Sequence, residues 1–408
     1  MIETPPPRGV EIVPGGGVTA PQGFVAGGIA AGIKTVPGTL DVGVLAADRP
    51  CAAAAVFTRS TVRAWAVTIS ETHLRARAPQ AIVVNSGCSN VATGPRGHED
   101  ALAMCAATAA VLGIDARRVL VGSTGVIGRR LPIARIEDGI ARLHLHAQGG
   151  GEFARANMTT DTFAKEVAVR FRAGGRVYTI GGCAKGSGMI HPDMATMFCW
   201  LTTDAPVEQR FLRAAFGRAV ALSLNMISVD NDTSTSDTAA ILASGAAGGP
   251  LIRGGTPGAA AFERALTHAC THLARLLARD GEGATKLIEV RIDGAASLAA
   301  ARNAARTVSA SPLVKSAVHG NDPNWGRILM AIGRSGARVN LERARVWLGP
   351  IAVFRGQPLR FDEDAASAYM QREEVVLRAD LGVGNGSAVA WGCDLTPEYV
   401  HINSDYTT

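Results

Sequence analysis

Thr196 is the residue whose surroundings best suit covalent chemistry. It stands in the stretch Lys185-Gly-Ser-Gly-Met-Ile-His-Pro-Asp-Met-Ala-Thr-Met-Phe-Cys-Trp-Leu-Thr-Thr-Asp204. A glycine-rich polar run ends at Pro192, and an apolar run from Phe198 to Leu201 follows the threonine. That spacing predicts a loop feeding a buried strand with Thr196 near its head. A hydroxyl placed there, after the small Ala195, can attack the carbonyl that precedes it. A break between Ala195 and Thr196 would free an α-amine, which can then act as base for the threonine's own hydroxyl. Threonine is also an ordinary strand residue, and this stretch taken by itself leaves a purely structural role open.

Four other segments carry groups that could serve such a nucleophile. Val119-Leu-Val-Gly-Ser-Thr-Gly-Val-Ile-Gly128 reads as a short strand breaking into a glycine-rich turn, and turns of this kind aim backbone N–H groups at an anion. It lacks the Gly-Lys-Ser/Thr ending of a nucleotide-binding loop. Met158-Thr-Thr-Asp-Thr162 gathers hydroxyls and a carboxylate, as a helix cap also does. Met226 to Thr238 is dense in both, but Asp230, Asp232 and Asp237 lack the order of a calcium loop, so no metal is expected. Asp280-Gly-Glu-Gly-Ala-Thr-Lys286 offers Glu282 in an exposed turn, and an anionic group of this kind suits an amine.

These segments, in this order, resemble the ornithine acetyltransferase family, also called glutamate N-acetyltransferase. The resemblance rests on Lys185 to Met197, on Ser123-Thr-Gly-Val-Ile-Gly128, Met158 to Thr162, Ser228 to Thr238, Asp280 to Lys286 and Gly320 to Ile328, and on the tail Tyr399-Val-His-Ile-Asn-Ser-Asp-Tyr-Thr-Thr408. It spans nearly the whole chain. Cys88 stands where the family more often has Asn; Asp193 and Ser236 are further departures.

The resemblance implies a layered α/β sandwich of the self-processing, N-terminal-threonine-nucleophile type, related to amidases. It implies cleavage between Ala195 and Thr196, giving an α chain of 1–195 and a β chain of 196–408, assembled as α₂β₂. Thr196 would be the nucleophile, and Thr124 with Gly125 the oxyanion hole. Thr162, Lys185, Glu282, Asn403 and Thr408 would complete the substrate site. The implied reaction is ping-pong acetyl transfer from N2-acetylornithine to glutamate in arginine biosynthesis. No cofactor is implied, although some family members also take acetyl-CoA as donor. A relative acting on another amino-acid acceptor and a hydrolase of the same fold are the alternatives.

The elements that must hold these groups follow from periodicity. Strands are expected at 41–47, 53–58, 64–69, 81–85, 165–171, 176–182 and from Thr196 to Thr203, and helices at 71–77, 97–112, 131–147, 207–222, 257–280, 295–307 and 364–371. The helix after Pro257 carries an apolar stripe, with Phe262, Leu266, Ala269, Leu273 and Leu277 at helical spacing. Residues 1–15, rich in Pro and Gly, read as an irregular lead-in. Asp322 and Asn324 are candidate caps, and Arg327 is expected in a structural ion pair.

Composition narrows the class. The chain has 408 residues, 47% hydrophobic and 19% charged, with net charge +6. That permits a large core and argues against disorder. The basic residues form no block and aromatics are 5%, which disfavours a nucleic-acid-binding module. Seven widely spaced cysteines suggest neither a disulfide framework nor a zinc site. The first residues lack the pattern of a signal peptide, and no apolar run is long enough to span a membrane. A cytoplasmic enzyme with small-molecule substrates is the expectation.

Overall fold

The computed structural model describes residues 4–191 and 197–405. The expectations for Ala195, Thr196 and Thr408 fall outside them.

Two sheets lie face to face. One has four strands in the order Phe24–Ile29, Val42–Ala47, Ala81–Cys88, Val119–Val126, antiparallel except for the last pair. The other has six, in the order Val10–Ile12, Lys165–Ala173, Arg176–Lys185, Phe198–Thr203, Thr238–Ala243, Ala52–Phe57. Within it only Phe198–Thr203 and Thr238–Ala243 run parallel. Strand alternation assigns each residue to a layer. Ile82, Val84 and Leu120 point between the sheets, where they meet Phe198, Trp200 and Leu242. Their neighbours Ala81, Val83, Val119 and Val121 point outward onto helices Trp65–Ala76, Pro95–Leu112 and Ile133–Arg142. Because both faces are covered, these strands read as continuous apolar runs.

The outer face of the six-stranded sheet is covered by Gln209–Leu222 and Pro257–Arg279. Phe211, Phe216, Phe262, Leu266, Leu273 and Leu277 carry that contact. The same core extends to a third sheet of six strands, ordered Ile227–Ser228, Gly386–Cys393, Leu287–Ala295, Glu374–Asp380, Arg345–Leu348, Ile351–Arg355, with helix Leu298–Ser309 packed on it. Trp200 is fully buried between the first two sheets and donates from Nε1 to Asn157 Oδ1 at 2.8 Å. That bond anchors the short helix Gly150–Asn157, which packs against strands of both sheets.

Several sequence expectations are corrected. The strand at 64–69 and helix at 71–77 are one helix, Trp65–Ala76, with Ala66, Val67, Ile69, Ser70 and His73 on its buried side. Its short Val/Ile alternation resembles a strand only when its second half is cut away. The helix expected over 131–147 ends at Arg142, and Gly150–Asn157 is a separate helix. Val10–Ile12 in the lead-in is an edge strand pairing with Val169–Phe171. Helix 295–307 is Leu298–Ser309, since Leu287–Ala295 is strand. Asp322 and Asn324 bond to each other, and the cap position is Trp325, whose side chain makes no capping bond. Arg327 donates to the Leu313 carbonyl at 2.7 Å instead of forming an ion pair. The tail from Pro397 to Asp405 is helical.

Candidate active site

The polar pocket lies where the strands Val119–Val126 and Arg176–Lys185 end together. It encloses about 160 Å³. Its wall brings Thr124, Gly125, Lys185, Glu282 and Asn403 onto one surface, joined by Thr159 and Thr160. Ser234, Thr235 and Ser236 close another side. The lining is thus mostly hydroxyls and backbone, with Lys185 and Glu282 as its charged side chains.

Thr124 and Gly125 are placed by a backbone device. Gly125 has φ +122° and lies in register with Gly87, at φ +102°, on the adjacent parallel strand. A Cβ on Gly125 would sit 2.4 Å from the Gly87 carbonyl carbon and 2.7 Å from the Cys88 nitrogen. Both partners are main chain, so only glycine permits this approach. The parallel ladder becomes irregular here, at Cys88, and the chain turns so that Thr124 faces the pocket. Cys88 itself is fully buried, and burial pushes its thiol above the usual range.

Lys185 ends its strand inside the molecule. Its Nζ donates to Thr124 Oγ1 at 3.3 Å. Burial holds the ammonium below the usual lysine range; Asp161, Asp237 and Glu282 counter this, while Lys165 adds to it. Asp161 is buried too. Burial alone would raise its carboxyl, but Lys165 and Lys185 outweigh this and hold it below the usual range.

Glu282 is held from three sides. Its N–H donates to the Ser187 carbonyl at 3.2 Å, and Asn403 Nδ2 donates to its carboxylate at 2.8 Å. On the third side a Cβ on Gly188 would stand 2.5 Å from that carboxylate, so the missing side chain is what admits it. The tail helix reaches Glu282 because Thr396 donates to the Gly283 carbonyl at 2.8 Å just before the helix begins.

The loop leading out of Lys185 is tied down as far as it is described. Asp230 accepts the N–H groups of Met189 and Ile190 at 2.6 and 2.9 Å. That carboxylate is therefore spent on backbone. Among the described residues no group of His, Cys, Asp or Glu is arranged to hold a metal.

A recess of about 20 Å³ continues from the pocket, sharing Thr124, Lys185, Gly188, Met189, Ser234 and Ser236 with it. It ends at Asp237, Met197 and Phe198. Met197 is the covalent neighbour of Thr196, the nucleophile expected from the sequence, which itself lies outside the described residues. Asp237 is fully buried, and among the described residues its Oδ2 has no hydrogen-bond partner. Burial drives its carboxyl well above the usual range, despite Ser234 and Lys185.

Of the expected site residues, Thr124, Gly125, Lys185, Glu282 and Asn403 converge. Thr162 does not line the pocket: its hydroxyl and its N–H are both given to the Asp280 carboxylate. Thr159 and Thr160 of the same motif line it instead. Sequence reasoning also missed Lys165, Asp161 and Asp280, whose buried ion pairs lie directly behind the pocket.

Comparison with known proteins agrees with this picture. The ArgJ family model matches residues 25–408. The chain is 49% identical over 401 residues to the arginine biosynthesis bifunctional protein ArgJ of Dehalococcoides mccartyi, covering 98% of this chain and 99% of that one. It is 51% identical over 397 residues to that of Symbiobacterium thermophilum, covering 96% and 99%. Among solved structures, a chain of the ArgJ protein from Bacillus halodurans superposes with TM-score 0.50 at 44% identity. It covers 51% of this chain and 98% of its own.

Proposed function

The chain belongs to the ArgJ family, and from that premise we propose that it is an N-acetyltransferase of arginine biosynthesis, moving acetyl from N2-acetylornithine to glutamate through Thr196. One observation carries the reading. Thr124, Gly125, Lys185, Glu282 and Asn403 share one cavity, and its recess reaches the residue bonded to Thr196.

In this reading the Thr196 hydroxyl first attacks the Ala195 carbonyl. The resulting ester is hydrolysed by water, which leaves a carboxylate on Ala195 and a free amine on Thr196. The relation of this chain to the Bacillus halodurans chain, matched over 98% of its length by 51% of this one, fits a division near the middle. The products would be chains 1–195 and 196–408, in the self-processing sandwich fold, assembled as α₂β₂.

For transfer, the neutral amine takes the hydroxyl proton; a free α-amine titrates near pH 8, so much of it is available. The oxygen adds to the acetyl carbonyl, and Thr124 with the Gly125 backbone receives the oxyanion. One such donor contributes about 3 kcal/mol at the transition state. Collapse returns the proton to the ornithine α-nitrogen, which leaves. Glutamate's amine then attacks the acyl-threonine and departs as N-acetylglutamate. Lys185 holds an anionic end of each substrate. Glu282, steadied by Asn403, holds the cationic side chain of ornithine, and Thr408 closes the site from the tail. No bound cofactor takes part. Acetyl-CoA is proposed as a second donor to the same hydroxyl.

The test is the intact mass of the denatured protein beside Thr196→Ala, with acetylornithine consumption followed with and without glutamate. Two fragments meeting at Ala195/Thr196 in the wild type alone, and consumption that requires glutamate, are expected. Consumption independent of glutamate would mean a hydrolase. An uncut but active Thr196→Ala protein would remove the nucleophile.

A further inference from the structure

Lys165 is 0% exposed, and its ammonium sits between two carboxylates, 2.6 Å from Asp161 Oδ1 and 2.5 Å from Asp280 Oδ2. The family reading gives it no task. Each carboxylate also holds backbone in the pocket wall or next to it. Asp161 accepts the N–H of Thr159 at 2.9 Å and of Gly186 at 2.8 Å. Asp280 accepts the N–H of Thr162 at 3.1 Å together with its hydroxyl. The Asp280 carbonyl takes the Ser187 hydroxyl at 2.7 Å, and the Ser187 carbonyl takes the Glu282 N–H at 3.2 Å.

These bonds close a ring through three segments, 159–165, 185–188 and 280–282. No strand ladder joins the third segment to the other two. Lys185 and Glu282 lie on opposite arms of that ring. We propose that Lys165 is a positioning residue: by holding Asp161 and Asp280 together it sets the distance across the pocket between Lys185 and Glu282. The inference rests on the reading in which those two side chains hold the substrate. Asp161 faces Lys165, Lys185 and Lys34, whose ammonium burial lowers to about 8, and Lys185 also faces Lys34, Asp237 and Glu282. The Lys34 titration is common to wild type and variants, so only the difference between their pH profiles reports on Lys165. Two buried carboxylates deprived of their shared cation repel, or take up a proton to avoid doing so. The pocket would then widen as that proton is lost.

The full chain is compared with Lys165→Met, Lys165→Met/Asp280→Asn and Glu282→Gln. KM and kcat for N2-acetylornithine and glutamate are measured from pH 6 to 9.5, and thermal unfolding is followed alongside. Lys165→Met is expected to raise KM about tenfold, more at high pH than at low. Its kcat/KM should fall on the order of a hundredfold, the effect of a displacement near 1 Å. Removing the second carboxylate in the double variant should bring KM back to within about threefold of wild type and flatten its pH dependence. If Lys165→Met does not fold, the double variant decides: a KM near wild type with a flat profile supports the role, and a KM as high as that of Glu282→Gln overturns it. A Lys165→Met enzyme with wild-type KM throughout, beside a Glu282→Gln enzyme with raised KM, overturns this inference alone. A loss that is independent of pH and not recovered in the double variant also overturns it. A Glu282→Gln enzyme with wild-type KM overturns the pocket reading and this inference with it.

Discussion

Lys185 Nζ and Thr124 Oγ1 lie 3.3 Å apart at the ends of strands belonging to two different sheets. The pocket exists because those sheets are packed face to face and both strands stop at the same edge. Thr124 belongs to the four-stranded sheet and Lys185 to the six-stranded one, so neither sheet alone could make the contact.

Thr124→Val keeps the shape of the side chain and removes its donor. Its kcat for transfer should fall about 10² to 10³-fold with KM little changed, the signature of a group used mainly at the transition state. Steady-state kinetics on the purified variant would decide it; a rise in KM at constant kcat would assign Thr124 to substrate binding instead.

Gly125→Ala is expected to be far worse than its size suggests. The new methyl meets Gly87 and Cys88 main chain at 2.4 and 2.7 Å, and the backbone there has φ +122°. Strain and overpacking together should cost several kcal/mol, on the order of 2–4. Thermal unfolding, with Gly128→Ala as control, checks it: Gly128 also has positive φ, at +78°, but nothing lies within 4 Å of its added Cβ.

Asp237→Asn should stabilise the protein at neutral pH. The folded state raises this carboxyl's pKa, so folding favours the protonated form. Stability is then lost as pH rises from the unfolded value, near 3.9, through the raised folded value, and stays lost above it. An amide does not ionise. The variant's Tm should exceed that of wild type at pH 7, and the two should converge below about pH 4. Equal melting temperatures at neutral pH would mean that Lys185 offsets the cost of burying the carboxylate.

Asn403→Ala removes the donor to the Glu282 carboxylate. Losing one such charge-assisted bond is worth about 1.5–3 kcal/mol, so KM for the substrate that Glu282 is proposed to hold should rise by about ten- to a hundredfold. Thermal stability should change little, because Asn403 is on a partly exposed helix with no buried residue. An unaltered KM would detach the tail from the site.

Much of the fold was legible from pattern. The stripe from Phe262 to Leu277 is continuous and its helix, Pro257–Arg279, is found nearly as expected. The hairpin formed by Lys165–Ala173 and Arg176–Lys185 followed from alternation around Ala173 to Arg176. Trp65–Ala76 imitates a strand because its first half places Val67 and Ile69 two apart, and only His73 further on completes the helical spacing. In the site, the motifs offered an anion-binding turn and an anionic group, and the family resemblance assigned Thr124, Gly125 and Glu282 among them. They could not tell which hydroxyl of Met158 to Thr162 faces inward, because the presence of Asp280 behind Thr162 depends on a contact 118 residues away. Lys165 carried no signal at all. A lysine opening an alternating strand looks like a solvent residue, and its burial follows from two carboxylates, one of them 115 residues distant.

The pocket also has a schedule. Thr124 and the Asn403 that steadies Glu282 are separated by 279 positions, so a ribosome makes the first well before the second. At a synthesis rate of about 5–20 residues per second, on the order of ten seconds or more passes between the first wall and the last. During that interval Lys185, the hydroxyls and the glycine turn exist without the residue that completes them. An enclosure that needs Asn403 is therefore complete only after position 403 has been made, later than every other wall of the pocket.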